Sequence, residues 1–530
     1  MRRNLLILFL LLTGFSFAQQ PFSVSVVQSP ITTVPAIHSC AYAAWNGKWI
    51  FIGGRRDGLH NFQAGMGFSK YTRNDSVYVV DPVTNTQWVS GLTSLPDYVR
   101  EAISSSNAEF FQADSMLYLV GGYGRCDSML ANITFPTLSA INLSTLVDEV
   151  VNGYAVAPAI RQLRDSNIIV TGGHLQKIDS TYYLIFGHRF DGMYSKISGS
   201  TLFTQTYSNS IRKFNINDDG TSLAITNYTA VTDTDNFHRR DLNVAEQIFP
   251  NGDFGYTAFG GVFQKTATLP FLTPIDITAT NIQHQSGFNQ NLNQYETAAM
   301  PVYDSLNNFM HTIFFGGMSL YTLDTVNHVL MQDTLVPFVN TISKVSRDGI
   351  GNLSEFKLPV EMPLLTGTDS RFIPDSNIFI RHKEIVDLNS LSGNTRVGWI
   401  VSGILSDFPN IADLDPEGMS RPSSAVYEVW IDVTPDGVKD LPLSNTILGL
   451  NVYPNPVSHT AYVDFILNEA GQSSVDIFNA MGLLVKHFSF TGKKSELVHI
   501  PVSTSSFAAG LYTCIIKTEH GSKEAKFVVQ

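Results

Sequence analysis

At 530 residues, 44% of them hydrophobic and 11% aromatic, the chain can bury the cores of two or more domains, which excludes disorder as its default state. Its 34 Lys and Arg against 46 Asp and Glu leave a net charge of -12, the wrong sign for a phosphate backbone, so nucleic acid is excluded as a partner. Three cysteines, Cys40, Cys126 and Cys514, are too few and too dispersed for a disulfide framework or a thiolate zinc site, and leave open either a Cys40 to Cys126 bridge or buried free thiols.

At the start of the chain, Arg2 and Arg3 precede an apolar run from Leu5 to Leu12, and Ser16-Phe17-Ala18 supplies small residues at the spacing of a signal peptidase site. A signal peptide over 1–18 is expected, with Gln19 as the first mature residue. The run is too short to span a membrane, and no later run approaches that length, so no transmembrane segment is expected in the mature chain.

The long body repeats itself. NGKWIFIGG ends at Gly54, DSMLYLVGG at Gly122, DSTYYLIFG at Gly187, NGDFGYTAFGG at Gly261, NNFMHTIFFGG at Gly317 and NTRVGWIVSG at Gly403. Each is a tight turn followed by a β-rich strand that closes on glycine. A second mark keeps step with the first: Glu101, Asp165, Asp241, Glu296 and Glu384 stand 21, 22, 20, 21 and 19 positions before their glycines by subtraction. The first unit has Ile37-His38 there instead, without the acid. Two marks held in register through loops of unequal length predict one β unit used six times. Such units cannot cover both faces alone, and radial packing covers every face.

After the first glycine pair, SVYVVDPVTNTQWV (Ser76 to Val89) reads as a hairpin turned by Asp81-Pro82 and Thr84-Asn85. Its Tyr78, Asp81 and Trp88, together with Gly53-Gly54, resemble the kelch repeat; Phe186-Gly187 and Ser402-Gly403 depart from the diglycine. The resemblance implies an all-β fold, a six-bladed kelch-like β-propeller over 21–434. A ring of blades must close, and either PFSVSVVQ (Pro21 to Gln28) or SAVYEVWIDV (Ser424 to Val433) is expected to complete a blade supplied by the opposite terminus. A linker follows over 435–448.

The last segment, 449–530, alternates apolar and polar residues in TAYVDFIL, SVDIFNA and LYTCIIKT, the period of half-buried strands. It predicts a small antiparallel, immunoglobulin-like β-sandwich, with Pro454 and Pro456 confined to an edge. Tyr453, Pro454, Asn455 and Pro456, the run from Asn479 to Val485, Gly510 and Tyr512, and Lys526 in the final strand resemble the C-terminal sorting domain of the type IX (Por) secretion system of Bacteroidetes. That resemblance implies the type IX machinery as a partner and a secreted or surface-attached product.

Candidate functional residues fall in two groups. The repeated acids, Glu101, Asp165, Asp241, Glu296 and Glu384, are expected to line the channel and to join neighbouring blades as structural ion pairs. The loops after the glycines differ from unit to unit, and Arg55, Arg56, His60, Tyr123, Arg125, His188 and Arg189 are ligand-binding candidates suited to carboxylates or glycans. No catalytic motif, metal site or cofactor signature is present. A binding or interaction module for an extracellular glycan or protein is the reading that follows. A secreted carbohydrate-active kelch enzyme, of sugar epimerase or oxidase type, is the alternative, with His188 and His238 as candidate copper ligands.

Overall fold

The computed structural model describes residues 22–60, 67–195, 202–324, 329–411, 418–434, 441–442, 447–467, 470–480, 482–493, 496–518 and 521–530. The expected signal peptide, 1–18, lies outside them, as does most of the expected linker. The chain is all-β, and six sheets among the described residues share one plan: four strands in an antiparallel meander. The first sheet shows why. Its strands Ala41–Trp45 and Lys48–Ile52 are rich in aromatic and β-branched residues. Asn46 and Gly47 between them both take positive φ, the turn that matches strand twist.

The first strands of the six sheets are Ala41–Trp45, Ser106–Ala113, His174–Ile178, Asn243–Ile248, Ala298–Asp304 and Leu365–Pro374. Each sheet presses an apolar face on the next. Leu117, Leu119 and Ile141 of the second pack on Ile50, Ile52 and Val79 of the first. Phe111 and Val120 meet Leu175 and Leu184 of the third. Ile185 and Ile211 meet Tyr256 and Ala258 of the fourth. Phe259 meets Phe314 of the fifth, whose Met300 and Ile313 pack on Ile400 and Val429 of the sixth. The succession returns to its start, because Trp399 and Val401 of the sixth sheet share a core with Trp49 and Phe51 of the first. Because each sheet packs an apolar core against both neighbours, its stability depends on both.

Closure comes from the chain start. Ser23–Gln28 pairs antiparallel with Tyr427–Asp432, from Ser23 opposite Asp432 to Gln28 opposite Tyr427, and is the fourth strand of the sixth sheet. The segment between Pro374 and Asn394 departs from the plan. It sends Ile385–Asp387 alongside the first strand of the fifth sheet in parallel, and Leu441–Pro442 pairs with that sheet's outer strand.

The glycine mark has a common geometry. Gly54, Gly122, Gly187, Gly261, Gly317 and Gly403 all have φ between 78° and 94°, and the residue before each is also left-handed, including Phe186 and Ser402. In five units the glycine N–H donates to a carbonyl that leads into the next sheet: Ser105, Val170, Arg239, Gln294 and Thr366. In the sixth, the Ser402 hydroxyl donates to the Ile37 carbonyl. A Cβ on Gly121 would sit 2.0 Å from the Val170 oxygen and one on Gly316 2.0 Å from that of Thr366, so the close approach of neighbouring sheets requires glycine there.

The tail forms two sheets around one core. Ile447–Tyr453, Thr460–Leu467 and Glu496–Ser503 make one, with Tyr453 ending its edge strand ahead of Pro454, and the other orders Leu484–Gly492, Gly471–Asn479, Gly510–Thr518 and Gly521–Val529. Val463, Phe465, Ile477, Cys514 and Phe527 fill the space between them. All three cysteines are free and buried.

Candidate functional site

The first strands converge on a cavity of about 420 Å³. Their leading residues are laced together around it. Asn107 N–H donates to the Ser39 carbonyl, Gly172 N–H to that of Asn107, and Asp241 N–H to that of Gly172. Asn243 Nδ2 donates to Tyr295, Asp369 N–H to the Glu296 carbonyl, and Ser39 Oγ to Asp369 Oδ2 (2.7 Å), which completes the circuit. Ser39, Asn107, Gly172, Asp241 and Asp369 share a left-handed φ between 48° and 69°, which turns each backbone toward its neighbour.

Within the cavity the chemistry is unlike from wall to wall. Glu109 is buried and accepts from Gly173 N–H (2.8 Å), and burial raises its pKa well above the carboxylate range. Glu246 accepts from the N–H groups of Lys383 (3.1 Å) and Glu384 (2.9 Å), and burial together with the Glu384 charge pushes it up to about 8. Arg371 pairs with Glu296 and lies 5.6 Å from the Phe110 ring centre. Against the cost of burial, Glu296 and Asp369 hold Arg371 firmly charged. His174 gives Nε2–H to the Leu242 carbonyl (2.9 Å), and burial and the Arg371 charge lower it to about 4, so it is neutral. Lys383 and Glu384, both exposed, border the cavity, and Tyr42, Phe111 and Gln176 complete this part of the wall. The arrangement can donate and accept hydrogen bonds to a small polar molecule, with a fixed cation and protonated carboxyls side by side.

The repeated acids do not form one class in space. Glu296 and Glu384 line the cavity. Asp241 pairs with Arg240 at the laced rim and accepts from Tyr295 OH (3.0 Å). Glu101 is elsewhere: it lies in the helix Asp97–Ile103 and accepts from Asp127 N–H. Asp165 caps a short helical turn through Asn167 N–H, also away from the cavity walls. A strand-to-strand connection that becomes a helix moves an acid off the channel at the same sequence spacing. Sequence reasoning missed Glu109, Glu246 and Arg371 in the cavity wall and Asp369 at its laced rim; their signal was a position three to six residues after the start of the second, fourth and sixth first strands, not a shared residue type.

The loop residues are divided as well. Arg55 is buried, bonded to Asp57 and Thr72, with its guanidinium over Phe68. His60 stacks on Phe68 (4.6 Å), whose edge meets Tyr123 (5.0 Å), and Tyr123 donates to the Gly192 carbonyl (2.5 Å). These three candidates therefore serve one aromatic cluster that fixes the loops of the first three sheets. Arg56 and Arg125 face a second, larger cavity at that end. Arg189 is tied to Asp191, and His188 bonds Gln205 Nε2 (2.7 Å). His188 and His238 lie on Tyr207, with ring centres 5.6 and 3.8 Å away. The Cys40 and Cys126 sulfurs each lie beside a serine hydroxyl, that of Ser402 (3.8 Å) and of Ser128 (3.3 Å). No group of three or more metal-ligating side chains converges among the described residues.

The molecule is thus a closed set of β sheets with a polar central cavity and a separate terminal sandwich. Residues 451–530 match the family of secretion system C-terminal sorting domains. A tail of this family addresses the chain to the type IX system, for export to the cell surface or the extracellular space. No curated protein sequence matches the chain. Solved structures with similarity to it include YjhT, at 12% identity and a TM-score of 0.42 over 77% of this chain and 99% of that one. PorZ, a surface component of the type IX secretion system of Porphyromonas gingivalis, gives 11% and 0.17 over 92% and 75%. A family 43 arabinoxylan arabinofuranohydrolase from Bacillus subtilis gives 10% and 0.28 over 94% and 97%. Likeness at these levels carries no argument about what this chain does.

Proposed function

We propose that residues 21–434 are a six-bladed, kelch-like β-propeller that acts outside the cell as a binding module for a hydroxyl-rich ligand such as a glycan. In this reading 1–18 is a signal peptide, 435–448 a linker and 449–530 the sorting domain. Six four-stranded meanders packed in a closed succession support the propeller. The observation that carries the binding role is the central cavity, whose walls set Arg371 and the protonated Glu109 and Glu246 beside Phe110, Phe111 and Tyr42. Mixed donors and acceptors beside aromatic rings suit sugar hydroxyls and ring faces.

A second reading, a sugar epimerase type of enzyme, rests on Glu246: a carboxyl titrating near 8 can give and take a proton at neutral pH. Glycan-array binding followed by calorimetry on the exported protein tests the first reading. Bound sugar that weakens at least tenfold in Gln176→Ala or Lys383→Ala supports it, and silence across the array overturns it. Turnover of a bound sugar that Glu246→Gln abolishes while affinity is kept establishes the enzyme instead.

A further inference from the structure

At the loop end of the molecule, apart from the central cavity, residues from loops of the first, second, third and sixth sheets line a cavity of about 710 Å³. Among the described residues its lining holds four cations, Arg56, Lys70, Arg125 and Arg421, and one carboxylate, Asp57. Asp57 is already committed, bonded to Arg55 Nε (2.8 Å) and Thr72 Oγ1 (2.8 Å), with His38 Nε2 3.8 Å away. The remaining cations are thinly balanced. Arg125 (3.1 Å) and Lys70 (3.7 Å) share the single carboxylate of Asp127, and Arg421 pairs with Asp407 (2.7 Å). Arg56 is exposed, donates to the Tyr71 carbonyl (3.4 Å), and has no carboxylate partner among the described residues. In a chain of net charge -12 an excess of cations among the described lining residues is against the trend, and a concave cationic wall focuses field on an anion.

We propose that this pocket binds the acidic group of an extracellular saccharide, a carboxylate or a sulfate, with Arg56 as the principal contact and Arg125 and Lys70 beside it. The volume exceeds what an inorganic anion fills. Leu59, Met193 and Pro422 give apolar wall, and Ser69 and Asn132 give hydroxyl-compatible groups, which together fit a sugar ring carrying the acid. Planar guanidinium forks match both carboxylate and sulfate oxygens. The site is distinct from the central cavity and rests on the proposed function only in taking a saccharide as the carrier of the charge.

Calorimetry of the full exported chain with trigalacturonate, with a sulfated galactose disaccharide and with neutral galactotriose tests it. The expected result is binding of at least one acidic sugar, weakened at least tenfold in Arg56→Ala and again in Arg125→Ala, and weakened by raising salt from 50 to 300 mM. The two acidic probes decide between carboxylate and sulfate. Arg56 is exposed and bonded to one carbonyl, so its truncation leaves the fold intact, and an unchanged melting temperature checks this. Acidic sugars bound no tighter than galactotriose overturn the proposal, as does affinity indifferent to both arginines. Loss in Lys383→Ala with Arg56→Ala unaffected assigns acid binding to the central cavity and overturns it too. Galactotriose binding that survives Arg56→Ala leaves the central-cavity reading standing on its own.

Discussion

His38 is buried between two carboxylates from different parts of the chain, with Nδ1 3.3 Å from Asp369 Oδ2 and Nε2 3.8 Å from Asp57 Oδ1. Burial disfavours its charge, but Asp369 and Asp57 outweigh burial and raise its pKa, while His38 helps to depress both aspartates. A raised histidine contributes stability that is complete below its unfolded value of about 6.5 and disappears as pH rises through the folded value. The depressed aspartates act oppositely, and their contribution is lost only as pH falls through their folded values. Thermal melts should therefore show a decline above neutral pH that His38→Gln removes; an identical alkaline limb in the variant would refute the assignment. Glycine offers a second residue-scale test. Gly220 (φ 86°) has nothing within 4 Å of the point where a Cβ would stand, so Gly220→Ala meets only the backbone term of about 1–2 kcal/mol. Gly121 (φ 69°) would add a contact of 2.0 Å with the Val170 oxygen, and Gly121→Ala should cost at least about 3 kcal/mol in denaturant melts.

Among the elements, Ser23–Gln28 has the largest consequence for its length. It covers the backbone edge of Tyr427–Asp432 and brings Phe22 and Val24 into the core between the fifth and sixth sheets. Burying those two side chains is worth about 1.5–3 kcal/mol each, and the bared edge would be a template for another chain. Removing residues 22–28 should lower the melting temperature by several degrees and produce self-association in sizing chromatography; a monomer with the parent melting temperature would contradict this role. The pairing of this strand was half legible: the sequence named both terminal segments as closers, and long-range register decided between them. The glycine-ended second strands were legible because turn, apolar strand and glycine are local signals. The laced rim was not, because Ser39, Asn107, Gly172, Asp241 and Asp369 share a backbone angle and no side-chain type. Phe186 and Ser402 conceal the same geometry, each standing left-handed where other units have the first glycine. The acids kept their spacing yet scattered, since Glu101 entered a helix and Asp165 a helical turn while Glu296 reached the cavity. The ionisable groups of the cavity, Glu109, Glu246, Glu296 and Arg371, come together from four units, a juxtaposition that no spacing within one unit encodes.

Taken whole, the molecule joins two cores that do not depend on each other. The terminal sandwich buries Val463, Phe465, Val475, Ile477, Ile516 and Phe527 among its own strands. The cores between the six sheets are built from residues no later than Val433, with the chain start supplying their last strand. Among the described residues, strand pairing between the tail side and the body is the short Leu441–Pro442 contact on the outer strand of the fifth sheet, at an edge where no core is closed. Edge pairing of two residues contributes little beside burial of whole apolar faces. Independence of this kind lets the body keep its fold with the tail or without it, since a body that leaned on the tail would unfold on its removal. Cleavage after Thr434 should therefore leave the body with a melting temperature within about 2–4 °C of the full chain, the shift that roughly 1 kcal/mol produces in a large domain. The two fragments should melt separately at the temperatures of the two transitions in the intact protein by calorimetry. A body that aggregates or loses its cooperative transition once 435–530 are gone would mean that the tail completes the fold as well as addressing it.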